Sequence, residues 1–348
     1  MRAAVFEGIR TIQMHTLPDP TPQPEDVVLR VRHCGICGSD LHSYTSGAFI
    51  QPGQVMGHEF CGEVVAVGAR VQGLRPGQRV TAMPFQACYA CQACVRGDTH
   101  LCYHVAGQAI AYGLPGAFAE FVRIPGATLE RNVFVLPDAV SDLAGAMVEP
   151  LAVAVHAVRL ANPELGARVV VLGAGLIGQC LIQVLRARGV GLIVASEVSD
   201  RRAALARRSG ADVTVNPLLG NVVEQVGEVL GFVPGRRSAA ADVVFDCAGV
   251  PAAFAQGVRL VRPGGTLTIT ALYEEQVQCD LSRLVWSEVK LLGTFGYRNE
   301  FPQAIALLHS GKVQLEHLVT QVFPLEQTGA GFERQLARDE VMKVMIQP

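Results

Sequence analysis

The run Gly173-Ala174-Gly175-Leu176-Ile177-Gly178 lies between a continuous apolar strand, residues 169–172, and a helical pattern over residues 176–188 that stops at Gly189. A G-x-G-x-x-G pattern alone is common. Placed between a strand and a helix, it specifies a βα turn shaped to hold a phosphate. Gly173 permits the tight turn, Gly175 lets the backbone approach a pyrophosphate, and Gly178 lets the helix pack on the strand. The free N–H groups of the first turn, at Leu176 and Ile177, and the positive end of the helix dipole then face the phosphates. Glu197, 19 residues after Gly178, ends the second strand of this unit. An acid there accepts hydrogen bonds from the adenosine ribose and repels a 2′-phosphate, so NAD is expected over NADP. Arg201 and Arg202 follow closely and could bind a phosphate.

Around this turn, apolar strands alternate with helices. Strands are predicted over residues 169–172, 192–196, 212–215, 243–247, 266–271 and 289–295, and helices over 176–188 and 200–209, closed by Gly189 and Gly210. Six apolar strands alternating with helices predict a parallel, doubly wound α/β sheet over residues 152–296. The first 151 residues read differently. Val27, Leu29 and Val31 alternate with Val28, Arg30 and Arg32, and residues 62–68, 79–83 and 118–124 are further short β runs between Gly and Pro turns. That pattern predicts a β-rich, barrel-like domain. The tail from 297 to 348 carries a predicted helix at 302–309 and a last strand at 342–346.

At 348 residues, two domains with real cores are expected. The formal net charge of −2 supplies no global field to recruit nucleic acid or an anionic membrane. Only Lys290, Lys312 and Lys343 stand among the cations as lysines, which reads as composition rather than function. The apolar stretch 169–195 is interrupted by Gln179, Gln183, Arg186 and Arg188, and no other stretch has transmembrane length. The N-terminus lacks the long apolar region of a signal peptide, so a cytoplasmic location is expected. In that compartment disulfides are rare, and the 10 cysteines need another explanation.

Cys88, Cys91, Cys94 and Cys102 supply it. Four thiolates within 15 residues, spaced x2, x2 and x7, suit a closed tetrahedral zinc site. With every position filled by protein, such a site is structural, pinning a lobe of about residues 86–104. A second constellation is discontinuous: Cys37, His58 with Glu59, and Glu149. Cys, His and Glu are all zinc ligands, and a fourth position left to water or substrate would make the site catalytic. Whether Glu59 or Glu149 completes it is open at this level. Cys34 and Cys37 also form a C-x2-C, but no thioredoxin-like βαβ pattern surrounds them. Cys34, Cys61, Cys180, Cys247 and Cys279 are expected as small core residues, and His156 as a packing residue.

Together, Gly35-Ile36-Cys37-Gly38-Ser39-Asp40-Leu41-His42, Gly57-His58-Glu59, the four-cysteine lobe, Glu149-Pro150 and residues 173–178 resemble the zinc-dependent medium-chain alcohol dehydrogenases, in particular their polyol, butanediol and threonine dehydrogenase branch. The resemblance covers essentially the whole chain. It implies a GroES-like catalytic domain, a Rossmann domain, and a tail that returns to the catalytic domain. It implies two zinc ions per chain and NAD, with hydride transfer between NAD(H) and a secondary alcohol, vicinal diol or polyol and its ketone. Cys37, His58 and Glu59 then look like catalytic zinc ligands, and Glu149 stands where some relatives have a second cysteine ligand. Asp40 looks like the acid that orients His58, and Ser39 and His42 like the two ends of a proton relay. The resemblance also implies a homo-oligomer, a tetramer or a dimer.

Two departures bear on substrate. Gly296, before Tyr297, replaces an Arg of the sorbitol dehydrogenases, and Ser43 replaces a Tyr, with Tyr44 adjacent. Two other readings stay open: a threonine 3-dehydrogenase-like enzyme of amino alcohols, and a non-catalytic dinucleotide-binding protein.

Overall fold

In the computed structural model, which describes residues 1–235 and 238–348, the chain forms two units. One comprises Met1–Ala152 with Tyr297–Pro348, the other Val153–Gly296.

The second unit is a six-stranded sheet in which every pairing is parallel. In chain order its strands are Arg168–Leu172, Leu192–Ser196, Val213–Val215, Ala241–Asp246, Val261–Ile269 and Lys290–Gly293. The first sits centrally, with the next two on one side and the last three on the other. The order therefore reverses beside Arg168–Leu172, and the carboxyl ends of strands at such a reversal form a binding crevice. Val170, Val194, Val244 and Leu267 are fully buried, the expected fate of strands covered on both faces. Helices Leu176–Arg188 and Asp200–Ser209 end at Gly189 and Gly210, both with positive φ. Carbonyl groups at a helix end are satisfied most cheaply when a glycine turns left-handed there. Asp212 falls outside its predicted strand because its carboxylate accepts from the Ile193 N–H (2.7 Å) and pairs with Arg186.

The first unit holds a seven-stranded mixed sheet. Strand Val27–Gly35 pairs with Glu59–Val67, Phe121–Ile124 and the tail strand Lys343–Gln347. Lys343–Gln347 in turn pairs in parallel with Val319–Pro324. The tail Tyr297–Pro348 thus rejoins the N-terminal sheet through backbone ladders. The period-two expectation fails at Val28, which is buried beside Val27 and Leu29. The ladder register shifts between Val28 and Leu29, a bulge that re-aims one side chain. A hairpin of Arg2–Gly8 and Thr11–Thr16, not anticipated from the sequence, forms a separate three-stranded sheet with Gln54–Val55. Phe332, on tail helix Thr328–Leu336, packs against Tyr44 and Phe118 at centroid distances of 4.9 and 5.6 Å.

Candidate active site and metal centres

The Cys88, Cys91, Cys94 and Cys102 sulfurs all lie within 4.8 Å of one another. Two sulfur pairs sit at 4.0 and 3.9 Å, far beyond a disulfide bond of about 2.05 Å. A tetrahedral zinc with Zn–S of about 2.3 Å has sulfur–sulfur edges of about 3.8 Å, so the cradle has the right size for the ion. Backbone N–H groups already point at the sulfurs. Cys91 N–H donates to Cys88 Sγ and Cys88 N–H to Cys102 Sγ, each at 3.3 Å. Donors of this kind, from Tyr103 and Cys94, push the Cys91 thiol down to about 6. Burial pushes Cys94 up to about 12; a dication would reverse that, since a coordinated thiol is deprotonated outright. Val95, Leu101 and Tyr103 of this lobe are exposed, so it has little core of its own.

The second cluster forms where three elements meet. Cys37 caps helix Gly38–Ser46 and follows strand Val27–Gly35; His58 precedes strand Glu59–Val67, whose first residue is Glu59. Gly35 stands opposite Glu59 in the ladder, so the Cys37 turn is carried to the His58-Glu59 pair by strand register. A Cβ on Gly35 would come within 2.5 Å of Glu59 Oε2; only glycine leaves room for that carboxylate. One ligand atom each of Cys37, His58 and Glu59 falls within 4.8 Å of the others. Glu149 lies outside this set, close enough to feel the charges of His58 and Glu59.

Asp40 ties the cluster together. Its Oδ2 accepts from the Cys37 N–H (2.9 Å), and its Oδ1 lies 3.5 Å from His58 Nδ1. That leaves His58 Nε2 on the side of Cys37 and Ser39, with Ser39 Oγ 3.5 Å away. Ser39 and His42 are three residues apart on one helix and share a face. Burial, then Glu59, raises the Cys37 thiol. Burial also pushes the Glu149 carboxyl up to about 7, despite His58 nearby. A thiol, an imidazole and a carboxylate gathered within ligand distance are a donor set that fits a zinc ion.

Two site residues, Lys343 and Tyr112, escaped the sequence reading. Lys343, read there as mere composition, is fully buried and ion-paired with Glu59, and its Nζ donates to Ile36 O at 2.7 Å. Burial opposes its charge, but Glu59 and Cys37 raise it overall. A lysine inside an otherwise apolar strand, Lys-Val-Met-Ile, was the available signal. Tyr112 places its hydroxyl 2.8 Å from Ser39 Oγ and its ring 5.5 Å from that of His58. Tyr297 is fully buried beside Glu149, and burial with that carboxylate raises its phenol well above the ordinary value. Tyr44, next to Ser43, is turned away: its hydroxyl donates to Arg10 O and Glu333.

In the second unit, Gly173 has φ +86°, and a Cβ there would sit 2.9 Å from Ala248 N. A Cβ on Gly178 would sit 2.2 Å from Gly173 O, whereas Gly175 meets nothing nearer than Arg202 Nη1 at 3.9 Å. The first and third glycines are required by packing, and the second opens outward beside a guanidinium. The Glu197 carboxylate is held by three backbone N–H groups: Ala174 at 2.8 Å, Val198 at 2.9 Å and Ser199 at 3.0 Å. Its charge is thus fixed against the glycine-rich turn. Of the cysteines expected in cores, Cys34, Cys61 and Cys180 are buried, while Cys247 and Cys279 are only partly so, because both lie at or beyond strand ends. His156 is buried.

A dinucleotide-type parallel sheet and a β-rich unit with two metal-sized ligand clusters define a zinc- and nucleotide-dependent oxidoreductase of two-domain construction. Comparison with known proteins agrees. Residues 23–138 match the family described as "Alcohol dehydrogenase GroES-like domain" and residues 177–310 that described as "Zinc-binding dehydrogenase". Sorbitol dehydrogenase of Bacillus subtilis is 32% identical, covering 100% of this chain and 97% of that protein. The (R,R)-butanediol dehydrogenase of the same organism is 31% identical over 100% of both chains. A zinc-binding dehydrogenase structure from Sinorhizobium meliloti, bound to NADP, has a TM-score of 0.92 at 32% identity, covering 100% of this chain and 99% of its own. The chain belongs to the zinc-dependent medium-chain alcohol dehydrogenase family, in its polyol-type branch.

Proposed function

We propose that the protein oxidises a secondary alcohol, vicinal diol or polyol to its ketone, and catalyses the reverse, with NAD(H) as hydride carrier. The observation that carries this reading is the convergence of Cys37, His58 and Glu59 beside Ser39. Those three residues would hold the catalytic zinc, with Glu149 within its electrostatic reach, and Cys88, Cys91, Cys94 and Cys102 would hold the structural one. When bound, the catalytic ion supplies Lewis acidity that makes an alcohol hydroxyl easier to deprotonate, and NAD accepts the hydride. The chain's own residues do the rest. Asp40 fixes the His58 ring and the Cys37 turn. Ser39 takes the hydroxyl proton at Oγ, and His42, on the same helix face, passes it outward. Lys343 pairs its ammonium with the Glu59 carboxylate inside the fold.

Residues 1–151 and 297–348 serve catalysis in this proposal, and residues 152–296 bind the cofactor. Gly173, Gly175, Leu176, Ile177 and Gly178 would line the pyrophosphate. The pinned Glu197 charge supports NAD over NADP, because a 2′-phosphate would approach a carboxylate that cannot swing away; Arg202 is the cation that would have to offset it. The expected result is a lower KM for NADH than for NADPH, and the reverse order rejects the preference.

A homo-oligomer, tetramer or dimer, is proposed as well. Its support is the sheet edge Lys290–Gly293, where Leu291 is exposed and the preceding helix leaves Val285 and Trp286 exposed (Trp286 at 79%); a monomer in sedimentation analysis would reject it. A cytoplasmic location accords with ten cysteines that are all free. The decisive experiment is an NAD-coupled screen of diols, polyols, simple secondary alcohols and hydroxy amino acids. Turnover of diols or polyols without an amino group is expected, and a strict amino requirement would favour the threonine-type reading.

A further inference from the structure

We propose that Tyr112 is a positioning residue of the proton relay, donating its phenolic hydrogen to Ser39 Oγ and thereby orienting the Ser39 hydroxyl. The proposal rests on the alcohol dehydrogenase reading of the site and deepens it. The two oxygens are 2.8 Å apart. The phenol is the more acidic of the two hydroxyls, so it is the donor. A serine hydroxyl otherwise rotates to suit any partner. With one lone pair of Oγ occupied by Tyr112, the other is left to accept from substrate, and the Ser39 hydrogen is left to be passed on. The fixed O–H dipole also faces whatever negative charge gathers on Oγ during the transfer, the kind of preorganised donor that lowers a barrier.

The backbone is built to hold Tyr112 there. Residues 109–114 form a tight loop in which the N–H groups of Tyr112, Gly113 and Leu114 all converge on Ala109 O, and Ala111 N–H donates to Leu114 O at 2.8 Å. Ala111 is buried with φ +79°, a left-handed conformation that an alanine rarely adopts. Gly113 cannot carry a side chain, since a Cβ would lie 2.4 Å from the Gly107 carbonyl. Gln54 Nε2 donates to Tyr112 O at 2.9 Å and anchors the loop tip. Strain stored next to a side chain that reaches a reacting group is the pattern of a functional loop. The helix that carries Ser39 does not provide such a hydroxyl itself. Ser43 Oγ has no hydrogen-bond partner among the described residues, and Tyr44 is committed to Arg10 and Glu333.

The test is a double-mutant cycle of Tyr112→Phe and Ser39→Ala in the zinc-loaded enzyme. Tyr112→Phe keeps the ring, so zinc content and melting temperature should stay at wild-type values. Its kcat should fall by about tenfold with the alcohol KM changed by less than about twofold, and in the Ser39→Ala background it should change kcat by less than about twofold. Wild-type kcat in Tyr112→Phe, or multiplicative losses in the double variant, overturns the proposal. Full turnover in Ser39→Ala would overturn the relay itself and this inference with it, whereas an impaired Ser39→Ala with additive Tyr112→Phe defeats only the latter. Should Tyr112→Phe lose fold or zinc, Gln54→Ala, which frees the loop tip without touching the ring, must show the same lower kcat and the same non-additivity.

Discussion

The two cysteine-bearing clusters of the first unit differ in how they are assembled. The Cys88–Cys102 set closes within 15 residues, and neighbouring backbone N–H groups shape it. The Cys37–His58–Glu59 set depends on strand register, on a glycine opposite Glu59, and on a lysine 284 residues away from it in sequence. A local cradle can be filled by the metal and then stabilises its own lobe. A cluster assembled by tertiary structure gains its ligands from a fold that already exists, so its metal is free to do chemistry. The first should therefore trade in stability and the second in turnover.

The sharpest way to break this contrast is to remove one thiolate from each. Cys94→Ala should drop bound zinc from two ions to one per chain and lower the melting temperature by about 10 °C or more, since closed thiolate sites contribute folding energy directly. Cys37→Ala should also lose one zinc, yet melt near the wild type, with kcat down by about 10³ or more. Equal stability losses in the two variants, or unimpaired turnover in Cys37→Ala, would erase the distinction.

Lys343 tests the claim that the second cluster leans on remote structure. In the zinc-free protein, Lys343→Met leaves Glu59 buried without its counter-charge, a change that typically costs about 3–5 kcal/mol. Denaturant unfolding should show that loss, and the pair Glu59→Gln/Lys343→Met should recover much of it without recovering activity. If Lys343→Met unfolds like the wild type, the ion pair is not what holds Glu59.

The smallest effect concerns the second unit. Glu197→Gln removes the pinned charge, and the ratio of kcat/KM for NADPH over NADH should rise by about tenfold, the size of roughly 1.4 kcal/mol of relieved repulsion. An unchanged ratio would assign cofactor choice to other groups, Arg202 first among them.

Where structure is local, the sequence was readable nearly to the residue. Helices Leu176–Arg188 and Asp200–Ser209 begin and end where their apolar spacing and closing glycines indicate. All six parallel strands were visible as apolar runs, with ends shifted by up to five residues; at Asp212 the side chain, outside the strand, accepts the Ile193 N–H. The N-terminal hairpin was missed: no residue of Thr11–Thr16 is fully buried, and Gln54–Val55, the other partner of Arg2–Gly8, lies far along the chain. At the site, Cys37, His58, Glu59, Ser39 and Asp40 carried recognisable spacing. Tyr112 carried none, and Lys343 only the oddity of a lysine opening an apolar strand, because their roles exist across the fold.

The amino-acid order by itself determined the parallel strands of the second unit, helices Leu176–Arg188 and Asp200–Ser209, the nucleotide-type turn and the four-thiolate lobe, since each is specified by a pattern of residues close in the chain. Only the tertiary structure decided that a Glu59 oxygen lies within ligand distance of Cys37 and His58, that a buried lysine faces it, and that a strained loop brings a tyrosine to Ser39. Those outcomes depend on burial and on distances between segments brought together from far apart in the chain, and no local pattern of residues encodes them.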